Sequence, residues 1–441
     1  MILSSRIVFV SLFLGIAAGL QSIDVQTDPA VRSVRMFLSG REVAALTQPP
    51  WHAAIDLGRE LDPRALEAIG YDEKGNEVGR ATQILNLPRG EAEIEIVLQS
   101  GPIGPVAADL RWEHVQFKSP RKAVIFFDGK RLKIDTNYHA QFPQVEWSRP
   151  HLIAAEMQFG DGVVARREIV VGGAVADTAK SELTPILLTV SSSQQSASFE
   201  NCLLSDGQAV RTAAVEKPTA VVIFVRDPDA SEAIHALDPT RQLRSGYFSQ
   251  SSALRTIALD NGTSMRMLWP IPRKYVEPGR QRTALLFDSS WDVSGSTLGI
   301  PWFVTREYSG RTFDEPRMFA DAVAVAGLRA MSESRRRAVV FILSSNRDSS
   351  ANDPAAVRRY LDDIGVPLFV WSLSGPRPEL ADSWGPVDDV STIAGLHAAS
   401  DRLRRTLSAQ RIAWVDVDPL TALRLRADPR CGLATVARLG M

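Results

Sequence analysis

Two carboxylates and a hydroxyl, Asp227, Asp229 and Ser231, alternate over a short stretch directly after the apolar run 220–225. Acids so placed could hold a divalent cation or, with a shifted pKa in a pocket, do the acid–base work of metal-assisted hydrolysis. The same residues answer a plainer need. Asp229 and Glu232 stand at capping-box spacing, with Asp in place of Ser or Thr, and acids at a helix N-terminus suit its dipole. A second apolar run, 338–343, ends at Leu343-Ser344-Ser345 and is preceded by Arg335-Arg336-Arg337, which reads as a solvated helix end rather than a polyanion site.

Other chemistry is thinly represented. The six histidines never fall as a close pair on one helix, so no metalloprotease signature exists. Cys202 and Cys431 exclude a four-cysteine zinc site; they could form one bridge, which the sequence does not decide. Gly295-Ser296-Thr297-Leu298-Gly299 resembles a nucleophile elbow, but its centre is Thr297 and no strand-to-helix junction surrounds it. No phosphate-binding Gly-x-x-x-x-Gly-Lys-Ser/Thr loop occurs. Trp112, Trp147 and Trp302 suit the interiors of sandwiches and sheets better than a surface that anchors a partner. No catalytic residue is assigned.

Lys+Arg 50 against Asp+Glu 51 leaves a net charge of -1, with no global basic field for nucleic acid or an anionic membrane. At 441 residues the chain has room for about three domains. Its start, Met1-Ile2-Leu3-Ser4-Ser5-Arg6, then an uncharged stretch to Ala17-Ala18-Gly19, reads as a secretory signal over 1–19, with the mature chain beginning near Leu20. The stretch is shorter than the roughly 20 apolar residues a membrane span needs, so no integral segment is expected after its removal. A secreted or periplasmic protein is the expectation.

The elements that would carry these residues fall into three blocks. Residues 28–100 show short alternating runs with regular turns, among them 34–38, Ser39-Gly40 and 41–45, as in a small Ig-like β-sandwich. The order returns in 106–180, where Asp128-Gly129 makes a stronger hairpin signal, and Gly101-Pro102-Ile103-Gly104-Pro105 reads as the joint between two copies. From 181 to 418 the pattern becomes strand, helix, strand, helix, which points to an α/β doubly wound sheet, and 419–441 reads as a tail. In such sheets ligands bind outside the carboxyl ends of the strands, which selects the loops after Val225 and Leu343. Asp314-Glu315-Pro316 is expected to cap one helix and Asp353-Pro354 to open the next.

The Asp227-Pro228-Asp229-Ala230-Ser231 junction, the Asp321-Ala322-Val323 helix and the strand ending Leu343-Ser344-Ser345 together resemble a von Willebrand factor A domain. The whole layout is similar to exported bacterial VWFA-related proteins, which join such a domain to sandwich repeats. That resemblance implies a metal ion-dependent adhesion site, Asp-x-Ser-x-Ser with a later Thr and a final Asp, in which a partner carboxylate completes a Mg²⁺ shell. Asp227 and Ser231 match the first and third positions and Asp229 replaces the middle Ser. Pro316-Arg317 stands near the Thr position, with Thr312 a distant substitute, and Ser345 stands where the last Asp belongs. The implied site is degenerate, and Mg²⁺ is expected to bind weakly or not at all. The resulting expectation is an exported, non-catalytic binding or scaffold protein with a protein partner. The alternatives are a metal-dependent hydrolase and a cation-dependent adhesion protein.

Overall fold

The computed structural model describes residues 7–11, 13, 15–27, 29–87, 92–101, 104–114, 119–149, 151–159, 163–171, 184–190, 199, 201–228, 257–260, 262–276, 283–289, 293–294, 299–305, 316–332, 334–344, 348–431 and 433–435. Two compact units emerge. The first comprises Met1–Gly15, Gln21–Ile55 and Arg64–Glu182, and the second comprises Ile16–Leu20, Asp56–Pro63 and Leu183–Met441.

Unit 1 holds two sandwiches of the same design. The first is built from β1 (Ile7–Phe9), β2 (Leu20–Thr27), β3 (Ser33–Leu38), β4 (Arg41–Leu46), β5 (His52–Asp56), β6 (Arg64–Tyr71) and β7 (Glu77–Leu85). Its sheets run β1-β2-β5 and β4-β3-β6-β7. The second uses β8 (Ala92–Ser100), β9 (Pro105–His114), β10 (Lys122–Phe127), β11 (Lys130–Arg131), β12 (His139–Gln141), β13 (His151–Gln158) and β14 (Val164–Val171). Its sheets run β12-β9-β8 and β11-β10-β13-β14, the same order strand for strand. In each copy the fourth strand pairs with the third, whereas an Ig constant-type sandwich puts it in the sheet of the first, second and fifth. Alternation produces the buried faces: β5 reads exposed, buried, exposed, buried, exposed, and Ile125, Ile153 and Met157 sit fully inside the second core.

The duplication extends to side chains. Asp24, fifth in β2, bonds His52 Nδ1 at 2.8 Å and accepts from Ser11 Oγ at 3.3 Å. Asp109, fifth in β9, bonds His139 Nδ1 at 2.8 Å and accepts from Gln99 Nε2 at 2.7 Å. In both copies a carboxylate on the middle strand ties the fifth strand to the first-strand side of the sheet, through Gln99 of β8 in one and Ser11, just past β1, in the other.

Two boundaries move as a result. The Gly101-to-Pro105 joint is the turn of the β8–β9 hairpin: Ser100 faces Pro105, and the Gly101 N–H donates to Gly104 O at 2.8 Å. The first strand of the second copy is therefore β8, and the copies meet between Leu85 and Ala92. Ile7–Phe9 of the 1–19 stretch also supply the first strand of the first copy, with Ile7 and Phe13 buried.

A third histidine pair belongs to the second copy alone. His151 Nδ1 meets Asp128 Oδ2 at 2.7 Å, and the other Asp128 oxygen accepts from Leu152 N–H. The bond to Asp128 lifts the His151 pKa above 6.5 against the opposing effect of burial, and the bond from His151 holds Asp128 below 3.8. A raised histidine stabilises fully below its unfolded pKa and loses that contribution as pH climbs through the folded one. The lowered aspartate does the reverse, fading as pH falls below 3.8. The pair is thus strongest between about pH 4 and 6.5. Its Asp128 side is open to water, so the effect stays under about 1 kcal/mol. The melting temperature of the wild type should exceed that of His151→Gln by more at pH 6 than at pH 9; equal gaps would count against the ion pair.

Unit 2 is centred on a mixed sheet. Its first strands are β15 (Thr184–Val190), β16 (Leu203–Ser205), β17 (Gln208–Ala209), β18 (Thr212–Glu216), β19 (Ala220–Arg226), β20 (Ser264–Val276), β21 (Thr283–Ser289) and β22 (Val293–Ser294). Then come α1 (Gly299–Thr305), α2 (Phe319–Ser332), β23 (Arg336–Leu343), α3 (Pro354–Asp363), β24 (Leu368–Ser372), α4 (Ala381–Trp384), β25 (Val387–Asp389) and α5 (Ile393–Ala409). The chain closes with β26 (Gln410–Val415), α6 (Pro419–Arg424), β27 (Arg426–Ala427) and β28 (Leu433–Thr435).

The main sheet runs β21-β20-β19-β23-β24-β25, parallel from β20 to β25 with β21 antiparallel at its edge. Both faces are covered, which explains the unbroken apolar runs. Ala220, Val222 and Phe224 of β19 point to the side of α1 and α5, and Val221, Ile223 and Val225 to the side of α2 and α3. Leu61, from the early segment of this unit, joins the second cluster at 2% exposure.

Three expectations for this region change. The 181–418 block, read as one doubly wound sheet, is divided, because β26 lies outside the main sheet and joins β18-β26-β15-β28. The 419–441 stretch, expected as a tail, contributes α6, β27 and β28 and is pinned by a Cys202–Cys431 disulfide. The arginine triplet does not end a solvated helix. Arg336 and Arg337 begin β23 and are buried, because their guanidinium groups donate to carbonyls at the amino end of the sheet. Arg336 reaches Pro218 and Leu407, and Arg337 reaches Gly365 and Met331. Burial pushes the Arg337 pKa down to about 9.

Candidate functional site

The carboxyl ends of the strands form the site. Strand order reverses between β19 and β23: the chain leaves β19 for β20 on one side and returns to β23 on the other. Ligand crevices open at such switch points. Asp227, which follows β19 and is fully buried, crosses this point. Its Oδ2 accepts from Ser344 N–H at 3.1 Å and Ser344 Oγ–H at 3.0 Å, while its own N–H donates to Ile342 O. Arg226 beside it is also buried, donating from Nε to Val304 O and lying 5.6 Å from the Trp269 ring centre.

The loop after β23 is stapled to α2. Asp348 accepts from the Phe319 and Ala320 N–H groups, so it caps α2 in the role expected of Asp314-Glu315-Pro316; Asp314 and Glu315 lie outside the described residues. Asp321, in the first turn of α2, returns the tie by accepting from Ala351 N–H, Asn352 N–H and Asn352 Nδ2. The loop after β24 adds a cation. Arg377 Nη2 donates to Ser344 O at 2.7 Å, Ser374 Oγ donates to the same carbonyl at 3.1 Å, and Arg377 Nη1 meets Glu379 Oε1 at 3.1 Å.

No family model matches the chain, and no curated protein matches it. Solved structures do. The fibronectin(III)-like modules of Clostridium thermocellum CbhA align at 12% identity over 38% of this chain and 93% of theirs, with a TM-score of 0.16. The central fibronectin-III array of RIM-binding protein aligns at 10% identity over 45% and 81%, with a TM-score of 0.22. Human COPII-coat protein Sec24c aligns at 7% identity over 41% and 28%, with a TM-score of 0.23. The first two are β-sandwich modules, as the repeats here are. At these scores the likeness carries no argument, and the sandwich assignment rests on strand order.

The residues expected to form a cation site divide. Asp227 stands at the switch point; Asp229, Ser231, Thr312 and Ser345 lie outside the described residues, and Arg317 is buried just before α2. The capping-box pair Asp229 and Glu232 and the 295–298 motif also lie outside them. Among the described residues no group of three or more His, Cys, Asp or Glu is placed to hold a metal ion. The acids present are engaged by hydrogen donors: Asp227 by Ser344, Asp348 by the start of α2, Asp321 by the following loop. Such a donor set suits fixed loops better than a Mg²⁺ shell. Trp112 and Trp147 are half-buried in the second sandwich, and the side chain of Trp302 is not among those described.

Arg377, Glu379 and Asp348 were not found by sequence reasoning. The strand-end rule that selected the loops after Val225 and Leu343 applies equally after β24, and extending it would have reached Arg377. For Asp348 there was no local signal, because it caps a helix that precedes it in the chain.

Proposed function

We propose that this is an exported, non-catalytic binding or scaffold protein in which two Ig-like sandwiches accompany a von Willebrand factor A-like domain that takes a protein partner at its strand ends. The observation that carries the reading is the Asp227–Ser344 tie across the switch point, where fixed polar groups from three loops converge. A disulfide joining Cys202 to Cys431 supports export to a secreted or periplasmic setting, since such bridges persist in oxidising compartments. Among the described residues no helix is long and apolar enough to cross a membrane. The test is partner capture from the exported fraction with wild type and Ser344→Ala, both checked for folding. Loss of capture in the variant is the expected result, and equal capture would remove the strand ends from the account.

The proposed binding does not depend on a cation. A ligand that binds only the folded state stabilises it by about 2.7 kcal/mol at a hundred times Kd. Millimolar Mg²⁺ should leave the melting temperature of the purified protein unchanged. A rise of several degrees that Asp227→Ala abolishes would instead favour the cation-dependent adhesion reading.

A further inference from the structure

We propose that Arg377 is the docking cation of the strand-end crevice and takes a carboxylate from the protein partner; the proposal rests on the strand-end reading above. Three observations carry it. First, the guanidinium is placed before any ligand arrives. Nη2 is anchored on Ser344 O at 2.7 Å, and Ser344 is itself held by Asp227, so the head group is tied to the switch point. Second, the side chain is 20% exposed, so part of it is open to solvent. Third, Nη1 already holds a carboxylate, Glu379 Oε1 at 3.1 Å, from a residue two positions along in a single 3₁₀ turn, Pro378–Leu380.

Guanidinium and carboxylate match as planar forks, which makes arginine the side chain suited to such recognition. Glu379 is 49% exposed, so its end of the pair is open to water and an incoming acid can compete with it for the guanidinium. Glu379 therefore acts as a stand-in for the partner, and the fixed positive charge of Arg377 lets the crevice hold an acid without a metal. Asp227 does not compete, because it is fully buried and its Oδ2 accepts from Ser344 N–H and Oγ–H.

Glutarate serves as the probe, titrated through the millimolar range into the full-length protein while the arginine Nε–Hε resonances are followed by NMR. One resonance, missing in Arg377→Lys, should shift saturably, and equally with and without a chelator. Glu379→Gln should bind the probe about two- to fivefold more tightly, since the competing acid is gone. An Arg377 resonance that does not move, or that moves only when Mg²⁺ is added, overturns the proposal. So does unchanged affinity in Glu379→Gln. Partner capture separates the two levels. Capture that survives Arg377→Lys but fails in Ser344→Ala refutes the docking cation and leaves the strand-end reading intact. Capture that survives Ser344→Ala removes the strand-end reading itself.

Discussion

Reducing the Cys202–Cys431 disulfide is expected to lower the stability of unit 2 by about 2–5 kcal/mol, one of the two largest effects foreseen for this chain. The bridge joins residues 229 apart in sequence. A loop that long loses much conformational freedom in the unfolded chain, and the chain-entropy relation puts the upper end near 5 kcal/mol at 25 °C. The tie also falls where it is most needed. Leu203 and Leu204 of β16 pair with Ala427 and Arg426 of the short β27, and the Asp428 N–H donates to Cys202 O at 2.8 Å. Cleaving the bridge leaves these few backbone bonds, with the edge strand β28, to hold the C-terminal segment. Denaturant unfolding with and without reductant, repeated on the Cys202→Ala/Cys431→Ala double variant, measures the loss. An unchanged midpoint in both comparisons would show that the bridge contributes nothing, and it would withdraw the support that the disulfide lends to export.

Much of this architecture was legible in the sequence, and the reasons are local. Turns such as Ser39-Gly40 and Asp128-Gly129 adopt the positive φ that tight hairpins require, and these residue types tolerate it. Asp353 caps α3 from the position the sequence marks, with its carboxylate accepting from Ala355 and Ala356. What sequence reasoning missed depends on residues far apart in the chain. β26 looks like one more strand of the parallel sheet until its partners, 184–189 and 212–216, are known. Arg336 and Arg337 look solvated because a buried arginine with only carbonyls for partners has no sequence signature. The site divides in the same way. The rule about strand ends located Asp227, while Arg377 reaches Ser344 only because β24 lies beside β23.

A chain that begins at Leu20 is expected to be less stable in its first sandwich than the chain that begins at Met1, by about 3–6 kcal/mol for the apolar side chains alone. Ile7 is fully buried and Phe13 is 5% exposed, and each such side chain contributes about 1.5–3 kcal/mol, an upper bound when an extended unfolded chain is the reference. Polar groups raise the cost. Gln83, 2% exposed, donates to Ser11 O and accepts from Phe13 N–H, and its amide would lose both partners. A buried amide left unpaired costs about 1–3 kcal/mol more. The second copy supports this role for the segment, because Gln99 on β8 meets Asp109 as Ser11 meets Asp24. Urea unfolding of the two chains measures the difference, and Gln83→Leu in the shorter chain should recover part of it by removing the stranded amide. Coincident unfolding curves would mean that residues 7–19 add nothing to the folded state, so that their removal on export would leave the sandwich unharmed. A clear gap, partly closed by Gln83→Leu, would mean that any processing near Leu20 strips the first sandwich of a strand whose counterpart the second copy keeps.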